Sequence, residues 1–471
     1  MAKPNILLIT SDQQNAETLG CAGNPVIRTP NTDALAEEGV AFSQAYTPFP
    51  LCTPARTSIF TGQYAKHHGV RHNVNMGYRP GPPALRPDAH AFPELLAETG
   101  YHTSFFGKLH ARQEGAGSFG LHVARLVEGK GHFVVSPDEE DEYRRYLRQR
   151  GYPADIWKTW ALPQYVQEGY VASPLPDEDY IDTFIADLAL EHLNEVVEPF
   201  FSWVSFCTPH TPLDPPRPYD TMYDPSAVPP PHRRQGELEE KPRRWVDHIA
   251  RTIHALPFTS ADSSLPGGME NAYKRFPLAK TQRMRAAYYG EVSHLDAQVG
   301  RLTDALKRRG LYENTVIVFT SDHGDYCGNN WAFYKSAGLY DSLIRVPLVV
   351  RWPGLGSRGG DTGALASLVD IMPTVLDAAG VPAPGDLDGR SLRPLLVGDV
   401  ANWRQEVLVE CGASHAVVTR EWKMVCWGDG TEELYDRVND PHDLHNVAGE
   451  PSLRSTREQL RARLEAWLQS P

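Results

Sequence analysis

The chain has 471 residues, 41% of them hydrophobic, and a formal net charge of −13. That is enough apolar material for one large core and a smaller unit, and the acidic balance argues against a nucleic-acid partner, which selects basic surfaces. The 38 glycines and 39 prolines follow no repeat period, which excludes a collagen-like or low-complexity chain.

The opening MAKPNILLITSDQQ has a single Lys and an apolar run too short for a secretory leader, so no signal peptide is expected. No stretch approaches the roughly 18 apolar residues of a membrane span. Cys21, Cys52, Cys207, Cys327, Cys411 and Cys426 are far apart and show no paired spacing. They read as free thiols in a reducing cytoplasm rather than a disulfide framework or a structural zinc site.

In chain order, PNILLIT (4–10) is a continuous apolar run of the kind buried in a parallel sheet. NTDALAEEG (31–39) and AFPELLAETG (91–100) predict helices closed by glycine, and YHTSFFGK predicts a strand after the second. A long helix over 179–196 leads into the strand PFFSWVSFC (199–207). The longest helical stretch, 280–310, precedes strands at TVIVFTSDHGD (315–325) and VPLVVRWPG (346–354). Strands alternating with helices predict an α/β fold with a doubly wound, mostly parallel sheet.

Residues 111–178 and the Pro-rich 208–275 interrupt this pattern and read as surface excursions bordering a cleft. From about residue 385 the chain changes character. EVLVECG, HAVVTREWKMVCWG and ELYDR predict short antiparallel strands, and PSLRSTREQLRARLEAWLQ a closing amphipathic helix. The expected division is therefore a catalytic α/β unit, 1–385, and a small α+β unit, 386–471.

Two strands end in the same dipeptide: NILLIT runs into Ser11-Asp12-Gln13, and VIVFT into Ser321-Asp322-His323. Open α/β sheets bind ligands at the carboxyl ends of their strands. Asp12 and Asp322 supply hard anionic oxygens there, Gln13 a carbonyl oxygen and His323 a ring nitrogen. Such a set favours Ca²⁺, Mg²⁺ or Mn²⁺ over Zn²⁺. His67, His68 and His72 lack a metal-ligand spacing and are expected in a polar loop, with Asn73 or Asn75 near the cleft. HRR (232–234) and KPRR (241–244) are expected to be solvated charge runs.

LCTPARTSIFTG (51–62), with Cys52, Pro54, Arg56, Thr61 and Gly62, resembles the signature of the formylglycine-dependent sulfatases. GKLH (107–110), the stretch SDHGD to KSAGLYDSLIRVPLVV (321–350) and ELYDRVNDPHDLHNVA (433–448) resemble further elements of that family, in the family's order. The resemblance implies an alkaline-phosphatase-like fold and hydrolysis of a sulfate monoester. It implies that a maturation enzyme oxidises Cys52 to formylglycine, whose hydrate is a nucleophile on a single divalent cation, most simply Ca²⁺.

Carried over residue by residue, Asp12, Gln13, Cys52, Asp322 and His323 would hold the metal. Arg56 would hold the hydrate, Lys108 and Lys335 the sulfate oxygens. His110 would be the base that frees the aldehyde, and His210 the acid for the leaving oxygen. Gln13 stands where many sulfatases have a second Asp. Asp-Gln also occurs in relatives that cleave phosphonate monoesters and phosphodiesters, which is the alternative activity. Lys108 and His110 follow the sulfatase pattern.

Overall fold

The computed structural model describes residues 3–73, 90–111, 118–130, 142–153, 156, 168–247, 249, 277–335, 338–355 and 359–470. The predicted α/β architecture is present. Its main strands in chain order are β1 (Asn5–Ser11), β2 (Val40–Ala41), β3 (Ala45–Tyr46), β4 (His102–Gly107), β5 (Val123–Leu126), β6 (Phe200–Ser205), β7 (Thr315–Ser321), β8 (Leu348–Arg351) and β9 (Ala366–Ser367). The helices that matter below are α1 (Pro30–Glu38), α2 (Cys52–Thr61), α3 (Ala65–His68), α4 (Phe92–Glu98), α5 (Ile181–Glu195), α6 (Leu278–Arg308), α7 (Ile371–Ala379) and α8 (Arg454–Gln469).

Seven strands form one sheet in the order β2-β8-β7-β1-β6-β4-β5. The five strands from β7 to β5 are mutually parallel, and β8 and β2 complete the other edge antiparallel. Side chains alternate between the sheet faces. Ile6 and Leu8 of β1 join Phe60 of α2, Phe92 of α4 and Ile371 of α7 on one face. Leu7 and Ile9 join Ile185 of α5 and Leu295 and Leu302 of α6 on the other. Covering both faces buries every residue of β1, β6 and β7 and lets most of them be apolar.

Residues 111–178 are not wholly a surface excursion, because Val123–Leu126 pairs with β4 as the edge strand β5. Much of 111–178 and 208–275, and Asn75, lies outside the described residues. The C-terminal region carries an antiparallel sheet of β10 (Val407–Cys411), β11 (Ser414–Val418), β12 (Trp422–Cys426) and β13 (Glu432–Asp436), with α8 packed on it. Lys423 of β12 pairs with Asp341 at 2.9 Å and with Asp443, tying this sheet to the segment after β7. No helix among the described residues is long and apolar enough to cross a membrane.

Two expectations are corrected. His67 and His68 lie in helix α3, not a polar loop: His68 is fully buried and His67 Nδ1 lies 2.7 Å from Asp388. The basic run 241–244 is not uniformly solvated. Lys241 is buried, donating to the Tyr435 hydroxyl at 2.9 Å and the Asp443 carbonyl at 2.6 Å. Both are long-range pairings that local composition does not encode.

Candidate active site

Strand register assembles the site. β1 and β7 are neighbours with Ser11 opposite Ser321, so the next residues, Asp12 and Asp322, leave the sheet side by side. β4 lies one strand beyond β6, with Gly107 opposite Ser205 and Ser205 opposite Thr10. Lys108 therefore leaves the same edge. Gly107 has φ 100°, and a Cβ there would stand 2.0 Å from the Ser205 carbonyl oxygen, so only glycine admits this approach.

Helix α2 brings the fourth wall. It opens at Cys52, and Arg56 lies one turn on, on the same face. Thr53 N–H near the helix start donates to Asn73 Oδ1 at 3.0 Å, so Asn73 serves the helix end that carries Cys52. All ten residues of α2 are buried.

The side-chain atoms of Asp12, Cys52, Asp322 and His323 that could bind an ion lie within 4.8 Å of one another. Cys52 Sγ is 3.3 Å from His323 Nε2, 3.8 Å from Asp12 Oδ1, 3.9 Å from Lys108 Nζ and 3.0 Å from Lys335 Nζ. Arg56 Nε donates to Asp322 Oδ2 at 2.9 Å, and its Nη1 to the Lys108 carbonyl and Ser205 Oγ, both at 2.6 Å. Its Nη2 lies 3.8 Å from Asp12 Oδ2 and has no hydrogen-bond partner. The Lys108 ammonium pairs with Asp12 Oδ2.

Gln13 adopts φ 68°, a conformation rare outside glycine and held here by its contacts. Its N–H donates to Asp322 Oδ1 at 3.0 Å, its carbonyl accepts from the Tyr288 hydroxyl at 2.7 Å, and its Nε2 donates to Asp325 Oδ2 at 2.6 Å. Gln13 Oε1 is buried and unpartnered. Two carboxylates, an imidazole nitrogen whose Nδ1 lies 2.9 Å from the Gly324 carbonyl, and an unpaired amide oxygen form an oxygen-rich donor set that fits a divalent cation.

Electrostatics follow the geometry. Burial pushes the Asp12 carboxyl up, but Lys108, His210, Arg56 and Lys335 overcome it and hold Asp12 well below its ordinary value. Burial and Asp12 push the Cys52 thiol up, and Lys108, Lys335 and His323 more than compensate, bringing it to about 7.

His210 lies 2.8 Å by Nε2 from Lys335 Nζ and 2.7 Å by Nδ1 from the Thr211 carbonyl. A carbonyl only accepts, so Nδ1 carries the hydrogen and Nε2 accepts from Lys335. Burial, then Lys335, push His210 well below the ordinary imidazole value. His110, at φ 44°, is set apart from the cluster's direct contacts: both ring nitrogens lack a hydrogen-bond partner, and Nδ1 is 3.9 Å from Glu128. Burial, with Lys108 and Arg56, keeps its ring neutral.

Of the ten residues singled out from the sequence, nine are linked by these contacts and His110 stands at their margin. Asp325 and Ser205 were missed. Asp325 stands two residues past His323 and was visible in the SDHGD run. Nothing in the sequence marks Ser205, which acts only because its register position faces Lys108.

Residues 4–381 match the family described as Sulfatase, and residues 329–470 the family described as N-sulphoglucosamine sulphohydrolase, C-terminal. The chain is 31% identical to an arylsulfatase of Clostridium perfringens, over 98% of this chain and 93% of that one. It is 25% identical to an N-acetylglucosamine-6-O-sulfatase of Bacteroides thetaiotaomicron, over 98% and 86%. Among solved structures it is similar to the phosphonate monoester hydrolase of Agrobacterium radiobacter, with a TM-score of 0.81, 28% identity, and coverage of 98% and 95%.

Proposed function

The chain belongs to the sulfatase family, and from that premise we propose that it hydrolyses a sulfate monoester to an alcohol and inorganic sulfate, with Cys52 matured to formylglycine. The observation that carries this is the single focus of Cys52 Sγ, Asp12, Asp322, His323, Lys108 and Lys335. The cation, most simply Ca²⁺, and the hydrated aldehyde would together supply an acidic hydroxyl as nucleophile at neutral pH.

The chain's own residues do the rest. Asp12, Asp322, His323 and the free Gln13 oxygen would hold the ion. Arg56 clamps Asp322 and keeps Nη2 for an oxygen on residue 52. Lys108 and Lys335 flank the same atom, where two ammoniums would stabilise the charge on the transferring sulfuryl oxygens. The Lys335–His210 pair is the proton source for the leaving oxygen. His110, neutral and unpaired, is the base that takes the proton on release.

The relatives' names place sulfated sugars and aryl sulfates among the substrates to try. Gln13 and the likeness to a phosphonate monoester hydrolase favour a second reading, phosphonate monoester or phosphodiester hydrolysis at the same centre. The test is protein co-expressed with a formylglycine-generating enzyme and assayed on aryl sulfate, aryl phosphonate and bis-aryl phosphate. Faster turnover of the sulfate supports the main reading, and the reverse order the second. Peptide mass should show oxygen in place of the Cys52 sulfur. Cys52→Ala should abolish either activity, and a fully active Cys52→Ala variant defeats both.

A further inference from the structure

The chain leaves β5 beside the strand that delivers Lys108 and His110. Leu126 stands opposite Gly107. The next residue, Val127, is buried, and its N–H donates to the Gly107 carbonyl at 2.9 Å. Over the three residues that follow, the chain meets first His110, through Glu128, and then the loop of His210, through Lys130. Resting on the sulfatase reading, we propose that residues 127–130 are a brace that positions the two proton-transferring histidines, Glu128 the base His110 and Lys130 the acid His210.

The His110 N–H is shared between Glu128 Oε1 and Oε2, each at 3.2 Å, and Glu128 Oε2 lies 3.9 Å from His110 Nδ1. His110 has φ 44°, a left-handed backbone that a Cβ disfavours. The carboxylate therefore does two things. It anchors the amide of a residue whose backbone needs holding, and it puts negative charge beside the ring. Lys108 and Arg56 oppose a positive charge on His110, while Asp12 favours it. When His110 takes a proton, Glu128 joins Asp12 in offsetting the two cations.

Lys130 Nζ donates to the Pro212 carbonyl at 2.8 Å and to Asp214 Oδ1 and Glu291 Oε1, both at 2.6 Å. Those bonds use all three ammonium hydrogens, and the Lys130, Asp214 and Glu291 side chains are buried. Glu291 lies on α6 and also accepts from the Asp214 N–H at 2.9 Å and the Tyr180 hydroxyl at 3.1 Å. The ammonium thus fixes Pro212 and Asp214 against a long helix. The peptide before Pro212 supplies the Thr211 carbonyl, which accepts from His210 Nδ1. That bond selects the tautomer whose Nε2 faces Lys335.

Gly129 separates the two contacts. Its φ of 143° is a conformation that glycine adopts readily and other residues rarely do, and it turns the chain so that residues 128 and 130 reach different loops. Both side chains act through a histidine, as positioning residues.

The experiment compares matured full-length Glu128→Gln with Lys130→Met/Glu291→Gln, which removes one buried charge of each sign. Circular dichroism should show that both are folded. Glu128→Gln keeps an oxygen for the His110 N–H and loses the charge. With nitrophenyl sulfate it should release a burst of nitrophenol in proportion to enzyme and then turn over about tenfold more slowly, because the phenolate departs without a proton and sulfate release needs the base. The Lys130 variant should show no burst. It should slow a sugar sulfate about 10²-fold, as expected of a displaced acid, and nitrophenyl sulfate far less. In unmatured protein, amide hydrogen exchange should quicken at 107–111 in Glu128→Ala and at 208–214 in the Lys130 variant. Equal slowing of both substrates in both kinetic variants, or unchanged exchange at the two loops, overturns the proposal. Exchange needs neither formylglycine nor turnover, so failure of the brace is distinguishable from failure of the sulfatase reading.

Discussion

Gln13 Nε2 donates to Asp325 Oδ2 at 2.6 Å, and this bond decides which end of the Gln13 carboxamide is left free. Asp325 Oδ1 separately accepts the N–H groups of Cys327 at 2.7 Å and Tyr334 at 3.0 Å. Asp325→Asn can keep those two bonds on its remaining oxygen while presenting N–H to Gln13. The Gln13 amide must then turn over or lose its partner, and Oε1 is withdrawn from the ion. Outer-shell partners of this kind affect metal affinity about 10–100-fold. Calorimetric titration with Ca²⁺ should show a loss in that range, with the melting temperature little changed. Unaltered Ca²⁺ affinity would sink this role for Asp325.

Arg56 is wholly buried and neutralises Asp322 directly and Asp12 from 3.8 Å. Replacing it with Met leaves Asp322 as an unpaired buried charge, which costs about 3–5 kcal/mol. A divalent ion at the same carboxylates restores positive charge. Arg56→Met should therefore be strongly destabilised in chelator and partly rescued by millimolar Ca²⁺, as read by denaturant midpoints in the two buffers. An equal deficit in both buffers would show that Arg56 and the ion do not share those carboxylates.

Much of this arrangement was legible before the structure. β1, β6 and β7 carry apolar runs because both sheet faces are covered, and the polar residues that end β1 and β7 marked the carboxyl edge. Other parts were silent for physical reasons. β5, VARL, is a half-exposed edge strand with no apolar run. Helix α2 is buried all round, so it has no polar face for periodicity to detect. Asp325 and Gln13 are 312 residues apart, and His67 and Asp388 are 321 apart. A composition window registers such groups as loop polarity and cannot see the partner that makes them structural.

The contact between Lys335 and His210 predicts a dependence on leaving group. If this pair delivers the proton, His210→Ala should slow an alkyl or sugar sulfate about 10²–10⁴-fold. A nitrophenyl sulfate, whose phenolate departs without protonation, should be slowed far less. Comparing kcat/KM for both substrates in wild type and variant checks this. A uniform loss across leaving groups would assign His210 to binding or positioning.

His68 makes stability depend on pH. Its ring packs beneath α2, with Nδ1 accepting the Val70 N–H at 3.1 Å and Nε2 3.0 Å from Ser58 Oγ. Burial first, then His67 and Arg71, push its pKa down to about 3 from 6.5. A base depressed in the folded state favours the neutral form there, so its contribution is full above pH 6.5 and is lost as pH falls from 6.5 towards 3. Protonation also removes the acceptor for Val70. Between pH 7 and pH 5 the wild type should lose about 2 kcal/mol through this group. His68→Gln cannot titrate, so it should be less stable at pH 7 yet decline less over that interval, as measured by denaturant unfolding at the two pH values. Parallel decline of the two proteins would show that His68 is not the group responsible.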